Sequence, residues 1–200
     1  TLSGNNNYSG GTIISAGTLA GNASNFGSGA INIAATGALA MQQNSDASFA
    51  NLFAGSGHIH KNGGGTLNLT GDSATFTGTT HINAGTLAVN GALGGMLNVH
   101  DGATLKGTGS VGNTVVMAGG TIAPGNSIGR LNVAGDLAFA AGSTYQIEAT
   151  PDGNADHIHA SGAIALQGGS AMMLAADGSW SPTTAYQVLS AVAGISGAFA

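Results

Sequence analysis

The chain has 200 residues, including 36 glycines and no cysteine, and only 6% of its residues are charged, with a formal net charge of −5. Three basic residues give no positive surface for a phosphate backbone, which argues against nucleic-acid binding. The lack of cysteine excludes disulfides, thiolate metal sites and a cysteine nucleophile. Because glycine, threonine, asparagine and serine replace the strong helix formers, the composition predicts an almost purely β structure.

The first predicted elements belong to a repeated phrase. Residues Tyr8–Leu19 align without a gap on Phe76–Leu87, and both copies end in Ala-Gly-Thr-Leu. Shorter phrases of glycine, threonine and an apolar residue recur, and the anchoring positions are Leu19, Leu39, Leu67, Leu87, Leu105, Ile122 and Tyr145. A spacing near 20 residues, with some variation, is typical of a solenoid whose turns differ in length.

Within the repeated units, apolar and polar residues alternate, as at Leu67/Leu69, Leu87/Val89 and Leu131/Val133. A period of two places one set of side chains inside and the other in water. The helix-forming stretches of helical repeats and the Leu-x-x-Leu-x-Leu phrase of leucine-rich repeats are absent. The pattern therefore predicts an all-β fold, a parallel β-helix forming one elongated domain. An antiparallel sandwich or barrel is the alternative, with weaker and less regular hairpin signals.

Residues Gly119–Leu131 contain the strongest turn signal. Pro124 presets φ for the first corner residue and Gly125 accepts a positive φ, so a turn is predicted between strands Thr121–Ala123 and Leu131–Val133. Glycine-threonine-leucine phrases precede this turn, and larger aromatics follow it. The sequence therefore predicts a repetitive shaft over residues 1–119 and a distinct end over residues 120–200.

The C-terminal end contains long apolar side chains: Phe139, Tyr145, Met172, Met173, Leu174, Trp180, Tyr186 and Phe199. Large side chains bury more area than alanine, so this end is predicted to be the more stable one. The candidates for stabilising or capping the last coils are Trp180, Tyr186, Leu189 and Phe199. Because a solenoid end otherwise presents open strand edges, Trp180–Pro182 is the candidate cover.

The sequence predicts no catalytic site. Its eight acidic residues are mostly far apart, and general acid–base catalysis needs two such groups on one surface. Asp152–Asp156 is similar to the first half of a calcium loop, but the twelfth position is Ala163 instead of a bidentate glutamate. A solvated connecting loop is therefore preferred there. No cofactor and no small-molecule substrate are predicted.

Histidines form two kinds of pattern. His58 and His60 share one strand face, as do His157 and His159, while His60, His81 and His100 are about one coil apart. Two imidazoles can share a zinc ion, but a site also needs further ligands. Outward histidines without a metal are therefore the preferred interpretation, with a mild loss of stability below about pH 6 if they stack.

Several phrases resemble the passengers of bacterial autotransporters. Tyr8–Leu19 and Phe76–Leu87 resemble the passenger-associated transport repeat, and Gly55–Gly71 resembles a further phrase of the same family. Other segments resemble the C-terminal end of the passenger: Ala123–Leu131, Gly142–Glu148, Asp156–Ile158, Ser161–Ile164, Tyr186–Leu189 and Gly197–Phe199.

The resemblance implies a right-handed parallel β-helix on the surface of a Gram-negative bacterium or secreted from it. It also implies a partner in cis, an outer-membrane β-barrel downstream of this piece. The function expected from it is non-catalytic: an autochaperone region over residues 120–200 nucleates passenger folding and so supports secretion and display. The alternative is an adhesin or self-association module whose outer faces bind a host surface or another cell.

Overall fold

In this computed structural model, which describes residues 1–200, the chain consists of strands joined by turns. None of it forms a helix long and apolar enough to cross a membrane. The strands are β1 Thr12–Ile14, β2 Gly17–Gly21, β3 Ile31–Ile33, β4 Gly37–Gln42, β5 Ala47–Phe49, β6 Phe53–Gly55, β7 His58–Asn62, β8 Thr66–Leu69, β9 Asp72–Ser73, β10 Thr79–Ile82, β11 Gly85–Val89, β12 Ala92–Val99, β13 Ala103–Gly107, β14 Ser110–Val116, β15 Thr121–Pro124, β16 Arg130–Val133, β17 Leu137–Phe139, β18 Thr144–Ala149, β19 His157–Ala160, β20 Ile164–Gln167, β21 Ser170–Ala175, β22 Leu189–Ala191 and β23 Ile195–Ala198.

The strands lie on three faces of a chain that coils around one core. The first face contains β1, β3, β6 and β9, the first residues of β12 and β14, and then β16, β19 and β22. The second face contains β2, β4, β7 and β10, the last residues of β12 and β14, and then β17, β20 and β23. The third face contains β5, β8, β11, β13, β15, β18 and β21.

Every pairing between these strands is parallel, so each strand lies beside its equivalent in the neighbouring coils. Seven coils contain all three faces, and a partial coil lies at each end. Antiparallel contacts are limited to two isolated bridges, one of them between Gly107 and Gly125. The prediction of a parallel β-helix is therefore confirmed, and the antiparallel sandwich or barrel is not formed.

The core is a column of inward side chains along the coil axis. One hydrophobic cluster contains 32 buried residues. In β8, for example, Leu67 and Leu69 are buried while Thr66 and Asn68 are half-buried on the outside. Because side chains alternate across a strand, each short strand contributes one or two residues to the core and presents polar residues to water.

The anchoring residues form two columns on different faces. One column lies in register on the third face and contains Leu67, Leu87, Leu105, Ile122 and Tyr145. Leu19 instead pairs with Leu39 on the second face, and the next residue in that column is Ile59. The long interval between Leu39 and Leu67 contains the change of face.

The two long repeat copies also occupy different corners of the coil. Tyr8–Leu19 contains β1 and the start of β2, whereas Phe76–Leu87 contains β10 and the start of β11. The first copy therefore turns from the first to the second face, and the second copy from the second to the third. Both corners use a glycine with positive φ, +69° at Gly17 and +63° at Gly85, which a residue without Cβ adopts readily. The repeat thus encodes a strand–corner–strand unit.

Large aromatics are buried along the whole solenoid. The shaft contains Phe26, Phe49, Phe53 and Phe76, all buried, and the rings of Phe49 and Phe53 stack at a centroid distance of 5.6 Å. Buried aromatics are therefore not confined to the end after residue 119, and the greater stability of that end stays a prediction. The ladder of β13, β15 and β18 runs across residue 119 without a break and does not mark a boundary there. The division at residue 119 stays a prediction.

Candidate functional site

The Pro124–Gly125 turn is fixed to the coil before it. Gly125 has a φ of +85°, and it exchanges two backbone hydrogen bonds with Gly107, with N···O distances of 2.8 and 3.2 Å. The amide of Asn126 donates to Asn90 Oδ1 at 3.0 Å. These contacts hold the chain between β15 and β16 close to the preceding coil.

Asp156 fixes the same turn from the coil after it. Its carboxylate is buried; Oδ1 accepts the Gly129 N–H and Oδ2 accepts the Glu148 N–H, both at 2.8 Å. Burial raises the pKa of Asp156, whereas these two N–H donors act in the opposite direction. Both oxygens are engaged by the backbone, so Asp156 holds the connecting loop in place.

Two of the predicted stabilising residues, Leu189 and Phe199, pack against the core of the last coils. The ring centroid of Phe199 lies 5.3 Å from that of Phe139 and 6.3 Å from that of Tyr145. The Tyr145 hydroxyl donates to the Val188 carbonyl at 2.7 Å, and burial raises the pKa of this phenol. Leu189 is partly buried against the same core. We call Phe139, Tyr145 and Phe199 the C-terminal aromatic cluster. The hydrogen bond from Tyr145 to Val188 joins two residues that are 43 positions apart in the sequence.

The other two, Trp180 and Tyr186, lie in the connection between β21 and β22. Their ring centroids are 5.9 Å apart, and Trp180 Nε1 donates to the Ala176 carbonyl at 3.1 Å. The Tyr186 hydroxyl donates to the Thr150 carbonyl at 2.8 Å, in a loop of the preceding coil. The pair therefore braces one connection against another, and Trp180 remains 36% exposed.

The last strands of the solenoid are open to solvent. β21 and β23 are exposed along their whole length, and Met173 in β21 is 50% exposed. Trp180–Pro182 leaves these two strands exposed, and its role as a cover stays a prediction; Met172, Met173 and Leu174 are exposed and do not add the buried contacts expected of them. The reason is that β21 is the outermost strand of the third face, with a neighbour on one side only.

Acidic side chains close turns and link coils. Three of them accept a backbone N–H: Asp46 from Thr66, Asp72 from Ala74 and Asp136 from Ala163. A groove of about 380 Å³ runs beside Phe76 and Met96, and no acidic, basic or histidine side chain lines it. This groove therefore lacks the pair of titratable groups that acid–base catalysis needs.

Four histidines meet on the second face, and we call them the histidine cluster: His58, His60, His81 and His100. His60 and His81 are register partners, and their rings stack at 5.0 Å and 10°. The ring of His100 stacks on that of His81 at 5.4 Å, and His81 Nδ1 lies 3.1 Å from His100 Nε2. The register partner of His81 on β12 is Asn98, and His100 comes two residues after it in the chain. The side chain of His100 therefore extends back along the face to meet His81.

Burial lowers the pKa of His60 and of His81, and the neighbouring imidazoles of the cluster lower both further. The other register partners of these two residues are Ala40 for His60 and Asn98 for His81, and neither supplies a compensating charge. No group of three or more histidine or acidic side chains is placed to hold a metal ion.

The second histidine pair has a different arrangement. His157 and His159 lie on β19, and the Ser190 hydroxyl stands between them, 3.0 Å from His157 Nε2 and 2.9 Å from His159 Nδ1. Burial lowers the pKa of His157, with further contributions from Arg130 and His159. A hydroxyl therefore satisfies both rings in this pair.

A buried lysine is the main feature that the sequence interpretation missed. Lys61 has no exposed surface, and its ammonium donates to the carbonyls of Asn62, Gly63 and Ala84 at 3.3, 2.8 and 2.9 Å. Burial lowers the pKa of this amine. The alternation along β7 could have predicted this burial, because Lys61 follows the inward Ile59 by two residues.

The architecture and the repeats define the class of protein. The passenger-associated-transport-repeat model matches residues 1–20 and 59–89, which include both long repeat copies in full. The chain therefore carries passenger-associated transport repeats, the repeats of autotransporter passengers, on a parallel β-solenoid.

Curated relatives support this assignment. The chain is 39% identical over 123 residues to a protein named extracellular serine protease from Serratia marcescens, and 34% identical over 124 residues to a second protein of that name and organism. Each match covers 62% of this chain and 12% of the relative. A protein named adhesin BmaC autotransporter, from Brucella suis biovar 1 (strain 1330), is 38% identical over 82 residues, covering 39% of this chain and 2% of the relative. The chain thus spans a small fraction of the relatives it matches.

Proposed function

We propose that this chain is a non-catalytic segment of an autotransporter passenger, displayed at the cell surface or secreted, whose C-terminal coils nucleate folding of the passenger. The outer-membrane β-barrel expected downstream is its partner in cis. The observation that carries the proposal is the C-terminal aromatic cluster, because the rings of Phe139, Tyr145 and Phe199 contact one another. These ring contacts within the last coils need no residue of the shaft, whose strands join them through the backbone ladders.

Coil-to-coil contacts supply the second step. Each strand in the ladders pairs only with strands of adjacent coils, so a folded coil offers a template edge to the next one. If the C-terminal coils fold first outside the membrane, the shaft adds coil by coil and its folding biases transit outward. No nucleotide is needed, because the free energy comes from burial of apolar side chains.

The arrangement of the acidic side chains supports the proposal that this segment is non-catalytic. Asp46, Asp72 and Asp136 accept backbone N–H groups, and the groove beside Phe76 contains no titratable side chain. The protease activity in the names of two relatives belongs to proteins of which this chain matches 12%.

Surface display of the full-length protein in its bacterial host tests the proposal. Phe199→Ala removes the residue that links the last coil to Phe139 and Tyr145, so we expect less folded passenger at the surface. Met173→Ala is the matched control, because Met173 is 50% exposed in the same terminal region. Normal display and protease resistance of the Phe199→Ala protein would contradict the folding role.

An adhesin or self-association module is the second candidate, and the polar ladders on the outer faces favour it. On the third face Thr66, Thr86 and Thr104 are in register, and the Asn68 Oδ1 accepts a hydrogen bond from Asn90 at 2.8 Å. The name of the Brucella suis relative describes an adhesin. Trp180→Ala with Tyr186→Ala separates the two candidates: lost display supports folding, whereas normal display with lost adhesion supports the adhesin.

A further inference from the structure

The histidine cluster contains one pair of nitrogen atoms that are close enough to share a ligand. His81 Nδ1 and His100 Nε2 are 3.1 Å apart. One of these atoms donates its proton to the other in the neutral pair, since an imidazole nitrogen carries either a proton or a lone pair. When the donor ring carries its proton on its other nitrogen instead, the lone pairs of both atoms are free to bind one metal cation.

The separation fits chelation. Metal–imidazole bonds of roughly 2.0–2.1 Å place two nitrogen ligands roughly 2.9 Å apart at a right angle and roughly 3.4 Å apart at a tetrahedral angle. The observed 3.1 Å lies between these limits. We propose that His81 Nδ1 and His100 Nε2 chelate one divalent late transition-metal ion on the second face of the solenoid.

The backbone holds both rings in place before the ion arrives. His81 lies in β10, whose neighbours β7 and β12 fix its position on both sides. His100 follows β12 directly, and its backbone N–H donates to the Ile82 carbonyl at 3.0 Å. Both rings are half-buried, and His60 stacks on the far side of His81 at 5.0 Å. Little side-chain entropy is left to lose when the ion binds.

Electrostatics do not oppose a cation here. The neighbouring outward residues are Ala40 on β4 and Asn98 on β12, both neutral. Lys61 points inward, where three backbone carbonyls hold its ammonium. The carboxylate of Asp101 follows His100 directly in the chain, and the whole chain has a net charge of −5.

The donor set selects the class of ion. Imidazole nitrogen suits Zn²⁺, Cu²⁺ and Ni²⁺, with Cu²⁺ the strongest in the divalent series, whereas Mg²⁺ and Ca²⁺ prefer oxygen. No third protein ligand is in place, so water completes the coordination sphere. The site is therefore an open and exchangeable one on the surface, distinct from a closed structural zinc site.

The pair His157 and His159 provides an internal comparison. Like the pair His81 and His100, it has two imidazoles, but the Ser190 hydroxyl occupies the space between their nitrogens. An ion at that position must displace a hydroxyl that bonds to both rings. We therefore expect the histidine cluster, and not this pair, to bind the metal.

Calorimetric titration of the untagged chain with Zn²⁺ near pH 7.5 tests the proposal, and Cu²⁺ with paramagnetic resonance counts the nitrogen ligands. We expect one ion per chain and a two-nitrogen Cu²⁺ spectrum. Loss of a ligand in His81→Asn or His100→Asn should weaken Zn²⁺ binding by more than the roughly 10–100-fold that loss of an outer partner costs. The matched control, His157→Asn with His159→Asn, should bind as the parent does.

Two results would overturn the proposal: Zn²⁺ binding that His81→Asn leaves unchanged, or binding that the His157/His159 control abolishes. Thermal melting without metal shows whether each variant still folds. If His81→Asn unfolds, His100→Gln is the substitute, since His100 lies beyond the end of β12 and outside the ladder.

Discussion

At the scale of single residues, Lys61 shows how a charged group is accommodated inside a narrow solenoid. Its stem occupies a core position between Met41 and Ile82 of the adjacent coils. Its ammonium reaches the corner between the second and third faces and donates to three backbone carbonyls. A buried cation usually costs stability unless its donors are satisfied, and here the corner carbonyls supply the acceptors.

Replacement of this lysine should therefore be costly. Lys61→Met preserves the apolar stem but leaves the carbonyls of Gly63 and Ala84 without their donor, and we expect a loss of about 1–3 kcal/mol in the free energy of unfolding. Lys106→Met is the control, because Lys106 lies on the outward side of β13 and should change stability by less than about 0.5 kcal/mol. Urea denaturation measures both. Equal losses would show that the buried donors do not stabilise the corner.

The histidine cluster predicts a pH dependence with a definite sign. The pKa values of His60 and His81 are lowered in the folded chain, so the unfolded chain binds more protons once the pH falls through the ordinary value near 6.5. Stability is thus full above about pH 7.5 and declines as the pH falls through 6.5 towards the lowered folded values.

Urea midpoints in EDTA, measured from about pH 7.5 to about pH 5.5, check this decline. The double variant His60→Asn with His81→Asn should decline less than the parent. His157, whose pKa is also lowered, and Asp156, whose raised pKa acts in the opposite direction, are common to both proteins. An identical decline in the two proteins would exclude the cluster as the cause.

At the scale of elements, the sequence predicted the turns between strands but not the face of the solenoid on which each turn lies. Glycine-threonine-leucine phrases predicted short strands and positive-φ turns, and the parallel ladders contain both. The face on which a phrase lies was not predictable, because the same phrase makes the corner at Gly17 and the corner at Gly85. Connection lengths decide the face, and they vary from coil to coil.

The site residues illustrate the same limit. Alternation within β18 correctly makes Tyr145 a core residue, and period two also marks Lys61 as inward. The spacing of His81 and His100 indicated a column but not the reach of His100 back across Asn98. Exposure of Met173 and Trp180 depends on which strands have a neighbouring coil, and local sequence does not contain that information.

The two equivalent glycines give a matched test of coil stacking. Gly17→Ala places a Cβ in open space, so it should cost only the roughly 1–2 kcal/mol of a left-handed backbone. At Gly85 the same Cβ would lie 2.6 Å from the Gly63 carbonyl oxygen of the coil below. Gly85→Ala should therefore lower the free energy of unfolding further, as measured by denaturant midpoints. Equal losses would mean that the coils separate without cost at this corner.

At the scale of the whole molecule, stability is a sum over neighbouring coils. Strands in the middle of a ladder pair on both sides, whereas β21 and β23 pair on one side only. Solenoids of this kind open from their ends, because an end coil loses contacts with only one neighbour. The C-terminal aromatic cluster counters such opening by tying Phe199 back to Phe139.

Hydrogen exchange should show this gradient. We expect the amides of β21 and β23 to exchange faster than those of β13 and β15, whose ladders continue in both directions. In Phe199→Ala the fast region should extend to β17 and β20, since the link to Phe139 is lost. Uniform exchange across all coils would instead indicate a single cooperative unit.

The different corners of the two repeat copies affect how the gene can change. From Tyr8 to Phe76 the chain advances by three coils and one additional face. Recombination between the two copies would delete that length and displace every later strand by one face. The two copies agree at seven of twelve positions but lie in different rotational phases, so exchange between them would place each later strand on a different face relative to any coil before Tyr8.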